Sequence, residues 1–199
     1  MRPHLAVAGL IAAAGLALSS CAYLDPLTQT EDTPLTQALP GPDDLDITPP
    51  AATESDVLPV DAMPHIPEGK EAWTACPYLD TEWLANTNGQ RVLAMGIDSA
   101  FDPPACVFWS YDSVPQAQVI VRHMPTREEA IAVVDWAAPV DTTNAADQPA
   151  GWDGGRGGDD ASSVYAVHKD TTAVVVFSNQ GQSVKAQTIA AQVISNLGL

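Results

Sequence analysis

Positive charge is scarce in this chain. Its 199 residues hold 8 Lys+Arg against 25 Asp+Glu, a formal net charge of −17. The shortage runs along the whole length: Lys70 is the one basic residue between positions 22 and 70. A surface of this sign repels phosphate, which excludes DNA and RNA as partners. It equally excludes peripheral attraction to anionic lipid, and its ordinary consequence is solubility. Long apolar runs are scarce too. The uncharged run Leu5 to Leu18 is too short for a ~30 Å hydrocarbon core, which a helix crosses with about 20 residues. Catalytic signatures are missing: there is no HExxH and no GxSxG turn, and residues 71–199 carry only two histidines, His123 and His168. Cysteine is limited to Cys21, Cys76 and Cys106.

What is present begins with a secretory pattern. Arg2 supplies a thin positive start, the apolar run follows, and Ser19 and Ser20 are small residues before a cut, so residues 1–20 read as a signal peptide. Leu18-Ser19-Ser20-Cys21 has the form of a bacterial lipobox, with Cys21 as the lipidated residue. A diacylglyceryl group would give it two acyl chains, and two chains anchor stably where one binds reversibly. The expected location is the extracytoplasmic face of the cell membrane, held by this lipid anchor. Lipidation uses one cysteine of three. The remaining two lie where disulfides persist, and a Cys76–Cys106 bridge is expected. On the chain-entropy estimate such a bridge contributes about 3–4 kcal/mol.

Residues 22–67 contain nine prolines and almost no aromatics, and neither helical nor strand periodicity survives for long. They cannot bury enough apolar surface to offset chain entropy, so residues 21–70 read as a lipidated, disordered acidic tether. As a flexible coil this length spans about 35–40 Å. Its acidic clusters, Glu31-Asp32 and Asp43-Asp44-Leu45-Asp46, lack the glycine and terminal glutamate of an EF-hand loop.

Residues 71–199 carry the signals of a globular domain. Asp80 is placed to cap a helix over 81–87, stopped by Asn88-Gly89. Strand-like runs follow at 91–97, 106–111 and 117–122, the last two a hairpin apart. Thr126-Arg127-Glu128-Glu129 is a capping box opening a helix to Ala138, and the 100° spacing puts Trp136 opposite its apolar face. Residues 139–161 read as a Gly-rich loop. Strands at 163–169 and 172–178 turn at Asp170-Thr171, and a last helix carries Ala186, Ile189, Ala190, Val193, Ile194 and Leu197 on one face. Strand–turn–strand–helix thus occurs twice. The expected fold is α+β, a two-layer sandwich with an antiparallel sheet and helices on one face.

Three runs, Cys76-Pro77-Tyr78-Leu79-Asp80-Thr81-Glu82-Trp83, Asn88-Gly89-Gln90-Arg91 and Pro104-Ala105-Cys106-Val107-Phe108-Trp109-Ser110-Tyr111, carry a resemblance. It continues through Val119–Met124, Val134–Pro139, Gly151-Trp152 and Val174–Asn179. The chain resembles a family of small secreted actinobacterial lipoproteins, best represented in corynebacteria and classed as domain of unknown function number 2020. The resemblance implies a cell-envelope lipoprotein and no particular activity.

The candidate site residues are aromatic. Trp109 and Tyr111 alternate along one strand and are expected on the uncovered face of the sheet. Trp136 is expected either to pack under the following loop against Trp152 or to stand exposed as a platform. Trp73 and Trp83 are expected in the core. Aromatic surfaces with nearby Asp, Gln and Arg suit a sugar ring or a polypeptide, so the expected function is a non-enzymatic binding module meeting an envelope protein or a cell-wall glycan. A cryptic cell-wall hydrolase or transferase is the alternative, and it requires His123 or His168 paired with a carboxylate. No metal or cofactor is expected. Asp153, Asp159 and Asp160 read as a solvated turn, and the glycines from 151 to 158 lack the strand–loop–helix context of a phosphate cradle.

Overall fold

The computed structural model describes residues 58–199. The expected signal peptide, the lipidation site Cys21 and most of the expected tether lie outside the described residues. Three helices, α1 (Thr81–Asn88), α2 (Arg127–Ala137) and α3 (Ser183–Leu197), accompany seven strands. These are β1 (Ala94–Asp98), β2 (Ala105–Trp109), β3 (Pro115–His123), β4 (Asn144–Ala146), β5 (Asp153–Gly158), β6 (Ser163–Lys169) and β7 (Thr172–Ser178). They form one antiparallel sheet in the order β1-β2-β3-β7-β6-β5-β4. The expected α+β class, an antiparallel sheet with helices, is the class observed.

The caps behave as their chemistry requires. The Asp80 carboxylate accepts the Trp83 amide at 2.8 Å, and Gly89 closes α1 at φ 73°. The Thr126 hydroxyl accepts the Glu129 amide at 3.2 Å to open α2. A side chain at Gly89 would be strained, because only glycine adopts left-handed backbone at little cost.

Central strands are apolar on both faces, and the helices divide accordingly. Val119, Val121, Val174, Val176, Tyr165 and Val167 pack with Leu84 of α1 and with Ala186, Ile189, Ala190 and Val193 of α3. Their neighbours Ile120, Ala173, Val175 and Ala166 face the other way, against Ala130, Val133 and Val134 of α2. Covering of one face therefore describes α1 and α3, while α2 covers the opposite face. The cause is legible in Val174-Val175-Val176: a continuous apolar run marks a strand buried on both sides, whereas one-sided burial gives alternation.

Two further differences shape the molecule. Residues 58–67, assigned from sequence to the tether, form a strap across the α2 face. Leu58, Val60 and Ala62 join the α2 cluster, and Ile66 packs on Ala94, Val107 and Trp109. Arg122, fully buried on β3, donates to the carbonyls of Leu58 at 2.8 Å and Pro59 at 2.9 Å. The Gly-rich stretch is also not a loop: β5 is the sequence Asp153-Gly154-Gly155-Arg156-Gly157-Gly158. Glycine has low strand propensity, but here small size matters more. A Cβ on Gly155 would stand 2.8 Å from the Ala138 carbonyl oxygen, so only glycine lets α2 approach the strand this closely.

Candidate functional site

One row of directly paired residues crosses four strands on the α2 face: Gln118 on β3, Phe177 on β7, Val164 on β6 and Gly157 on β5. It lies at the end of the sheet where β3 begins and β7 ends. Gln118, Phe177 and Val164 remain half-buried, so neither the strap nor α2 closes over them. They floor an open groove of about 760 Å³. Its walls are the β2–β3 hairpin loop with Asp112, Val114 and Pro115, the β5–β6 turn with Asp159, Ala161 and Ser162, the pair Thr142–Thr143, and Met63 of the strap. That volume falls in the range of small-ligand clefts, which combine apolar lining with a few placed polar groups.

Each wall is held by identifiable interactions. Lys70 fixes the β2–β3 loop: its ammonium donates to the carbonyls of Ser110 at 2.8 Å, Tyr111 at 3.2 Å and Asp112 at 2.6 Å. The Asp159 carboxylate orders the β5–β6 turn, with Oδ1 accepting the amides of Ala161 and Ser162, both at 2.7 Å. Those two amides hold the exposed Asp159 carboxyl below the usual carboxylate range, so it stays anionic. Thr143 donates to the Pro139 carbonyl at 2.8 Å, tying the wall to the end of α2. Phe177 is steadied from the side by Trp136, edge-on at 5.9 Å and 77°.

Polar chemistry elsewhere is structural. Beneath the groove, on the α1/α3 face, Asn88 donates to the Gln116 carbonyl and side-chain oxygens, both at 3.2 Å, and Ser178 donates to Asn88 at 3.3 Å. Gln116 donates in turn to the Arg91 carbonyl at 3.1 Å. This buried network pins α1 to the central strands.

The aromatic residues singled out from sequence are scattered. Trp109 is not on an open face: it is 7% exposed under Ile66, because the strap covers the side of the sheet taken to be bare. Tyr111 lies beyond the end of β2, 72% exposed on the loop held by Lys70. Trp136 packs on Phe177 and not on Trp152, which is buried with the α1/α3 cluster on the opposite face under the Lys169 ammonium. Trp73, expected in the core, is 60% exposed at φ 46°.

The two histidines are kept apart. His123 continues the Val119–Val121 face and meets the Thr172 hydroxyl at 3.2 Å. His168 alternates with Tyr165 and Val167 and so points to the α2 face, where its buried Nδ1 has no hydrogen-bond partner. Desolvation, reinforced by the Arg127 charge, holds the His168 pKa below its ordinary value. Among the described residues neither histidine hydrogen-bonds to a carboxylate, although Asp153 is the cross-strand partner of His168. Among the described residues no group of three His, Cys, Asp or Glu side chains is placed to hold a metal ion, and no helix is long and apolar enough to cross a membrane.

Sequence reasoning missed the groove residues Gln118, Val164, Phe177 and Val114, and read Asp159 and Gly157 as parts of a solvated, Gly-rich loop. Phe177 and Val164 carried a faint signal, as large apolar residues next to the polar strand ends Ser178 and Ser163. Their alignment with Gln118 depends on the β3–β7 pairing, which no local pattern reveals. The expected Cys76–Cys106 disulfide is formed, with Cα atoms 5.6 Å apart. No curated protein matches the chain. The profile of the family described as "Domain of unknown function (DUF2020)" matches residues 58–199, beginning where the strap begins, and the chain belongs to that family.

Proposed function

We propose that this protein is an extracytoplasmic, lipid-anchored binding module of the cell envelope, and that the groove floored by Gln118, Phe177, Val164 and Gly157 is where it binds. The carrying observation is the uncovered floor: the central sheet is covered on one face by α1 and α3, and on the other this strip stays open among the described residues. Exposed apolar side chains gather beside it. Met63 and Val114 line the groove, and Tyr111 stands three residues from Val114. Contiguous exposed apolar surface beside a cleft marks interaction sites. The location rests on Leu18-Ser19-Ser20-Cys21, and the Cys76–Cys106 bridge agrees with an oxidising compartment.

The test has two parts. Wild-type cells fed a palmitate analogue should label the protein and retain it in the membrane fraction, and Cys21→Ala should lose both label and membrane association. A photoactivatable residue replacing Val114 should cross-link a discrete envelope component. The same residue replacing Val184, 57% exposed on α3, should not. Equal capture from both positions would sink the groove as the binding site.

A further inference from the structure

The groove has a strongly one-sided electrostatic character. Its wall residues include two carboxylates, Asp112 and Asp159, and among the described lining residues none is Lys, Arg or His. The nearby ammonium of Lys70 is directed at the carbonyls of residues 110–112. Asp159 is held anionic by the amides of Ala161 and Ser162, which fix Oδ1. Oδ2 is left with only the Ser162 hydroxyl at 3.3 Å, so acceptor capacity remains on an oriented, exposed anion. Between the carboxylates the floor is apolar, Phe177 and Val164, interrupted by the half-buried amide of Gln118. Among the described lining residues Phe177 is the one aromatic ring, half-buried and held edge-on by Trp136.

Resting on the reading of the groove as the binding site, we infer that its occupant is an extended cationic segment of a partner polypeptide, carrying Lys or Arg between apolar side chains. Charge complementarity selects the sign. An extended chain alternates its side chains, so apolar residues can meet Phe177 and Val164 while basic residues reach Asp112 and Asp159 at the two walls. The Gln118 amide supplies one donor and one acceptor for the backbone of such a segment. A protein of net charge −17 reinforces the attraction at long range and predicts association that weakens with salt.

The experiment titrates the purified full-length protein with three probes, followed by amide chemical shifts. These are a capped pentapeptide alternating Val and Lys, the same peptide with Glu for Lys, and chitotetraose. The Val/Lys peptide should move the signals of Gln118, Phe177, Val164 and Gly157, with the other two probes silent. The paired change Asp112→Asn with Asp159→Asn should weaken binding at least about tenfold. Asparagine at 159 still offers an oxygen to the Ala161 and Ser162 amides, so the turn survives and only the charge goes. A second variant, Ala161→Arg with Val114→Lys, places cations on exposed wall positions and should abolish binding without changing the thermal midpoint. Undiminished binding by the asparagine pair, or no shift from the Val/Lys peptide at about 1 mM, overturns the cationic segment. Shifts of the same row by the Glu peptide or by chitotetraose also overturn it, while leaving the groove as the binding site. Binding that moves signals only on α1 or α3 removes both.

Discussion

The two faces of the sheet are built from the same strands and differ in how they are closed. On the α1/α3 face, α3 lays an unbroken apolar stripe on Val119, Val174 and Val176, and the Cys76–Cys106 bridge ties the segment before α1 to β2. On the α2 face one helix covers β5 to β7, a strap of irregular chain covers β1 to β3, and the strip at the end of the sheet where β3 begins stays open. A helix satisfies its own backbone hydrogen bonds and can seal a surface with side chains alone. A strap leaves part of its backbone unpaired within itself; the Ala62 amide reaches the Pro59 carbonyl from within the strap, and further donors come from the sheet. Arg122 is such a donor. The face closed in part by an irregular segment is the one that retains the groove floored by Phe177.

This contrast predicts its largest effect on the sealed face. Replacing Cys76 and Cys106 together by Ser removes a bridge spanning 30 residues and should cost about 3–4 kcal/mol, measured by urea unfolding. Because the bridge lies away from the groove, peptide-dependent shifts of Phe177 and Gln118 should persist in the folded fraction. Loss of those shifts at full folding would show that the two faces are not independent.

Next in size is the strap. Arg122→Met keeps much of the side chain's length but leaves the Leu58 and Pro59 carbonyls without the guanidinium, and it removes the cation placed 5.7 Å over Phe101. The two bonds are part-buried and the Pro59 carbonyl keeps the Ala62 amide at 3.1 Å, so losing the charged donor costs about 2 kcal/mol. Limited proteolysis should begin to cut within residues 58–67, and Trp109 emission should shift to the red as Ile66 lifts from it. Unchanged protease resistance would mean that apolar contacts alone hold the strap.

Much of the sealed face was legible in the chain. The Asp80 cap and the α3 stripe are local patterns enforced by short-range chemistry, as is, on the other face, the Thr126 capping box that opens α2. So is the β6–β7 hairpin around Asp170-Thr171, while the cysteine pair follows from counting three cysteines with one in the lipobox. Beyond α2 itself, this other face was not legible, for three separable reasons. Pro59, Pro64 and Pro67 suppress regular structure without preventing packing, so a strap reads like a tether until Arg122 is seen holding it. Gly154 to Gly158 read as loop because glycine weakens strands, while their real constraint is the approach of α2. The groove row joins residues from four strands and depends on β3 pairing with β7. The aromatic residues misled for the same reason: Trp109 has the pattern of an open face only while the strap is counted as tether.

The smallest effect sharpens the comparison within the α2 face itself, at His168. Its imidazole is buried beneath α2, and burial together with Arg127 lowers its folded pKa, opposed more weakly by Asp153, Asp135 and Asp170. The unfolded chain therefore binds this proton more readily than the folded one, so stability rises with pH across the window below about 6.5. The contribution of neutral His168 is complete above that value. It is lost progressively as pH falls through the unfolded pKa, until the folded imidazole also protonates. Acidification meanwhile relieves self-repulsion in a chain of net charge −17, which acts in the opposite direction and is shared by every variant. Comparing urea midpoints of wild type and His168→Gln at pH 7.5 and 5.5 isolates the histidine. Wild type should lose more stability than the variant on acidification. A parallel loss in both would show that α2 yields locally and lets water reach the imidazole, making the helix-covered part of this face as permissive as the strap-covered part.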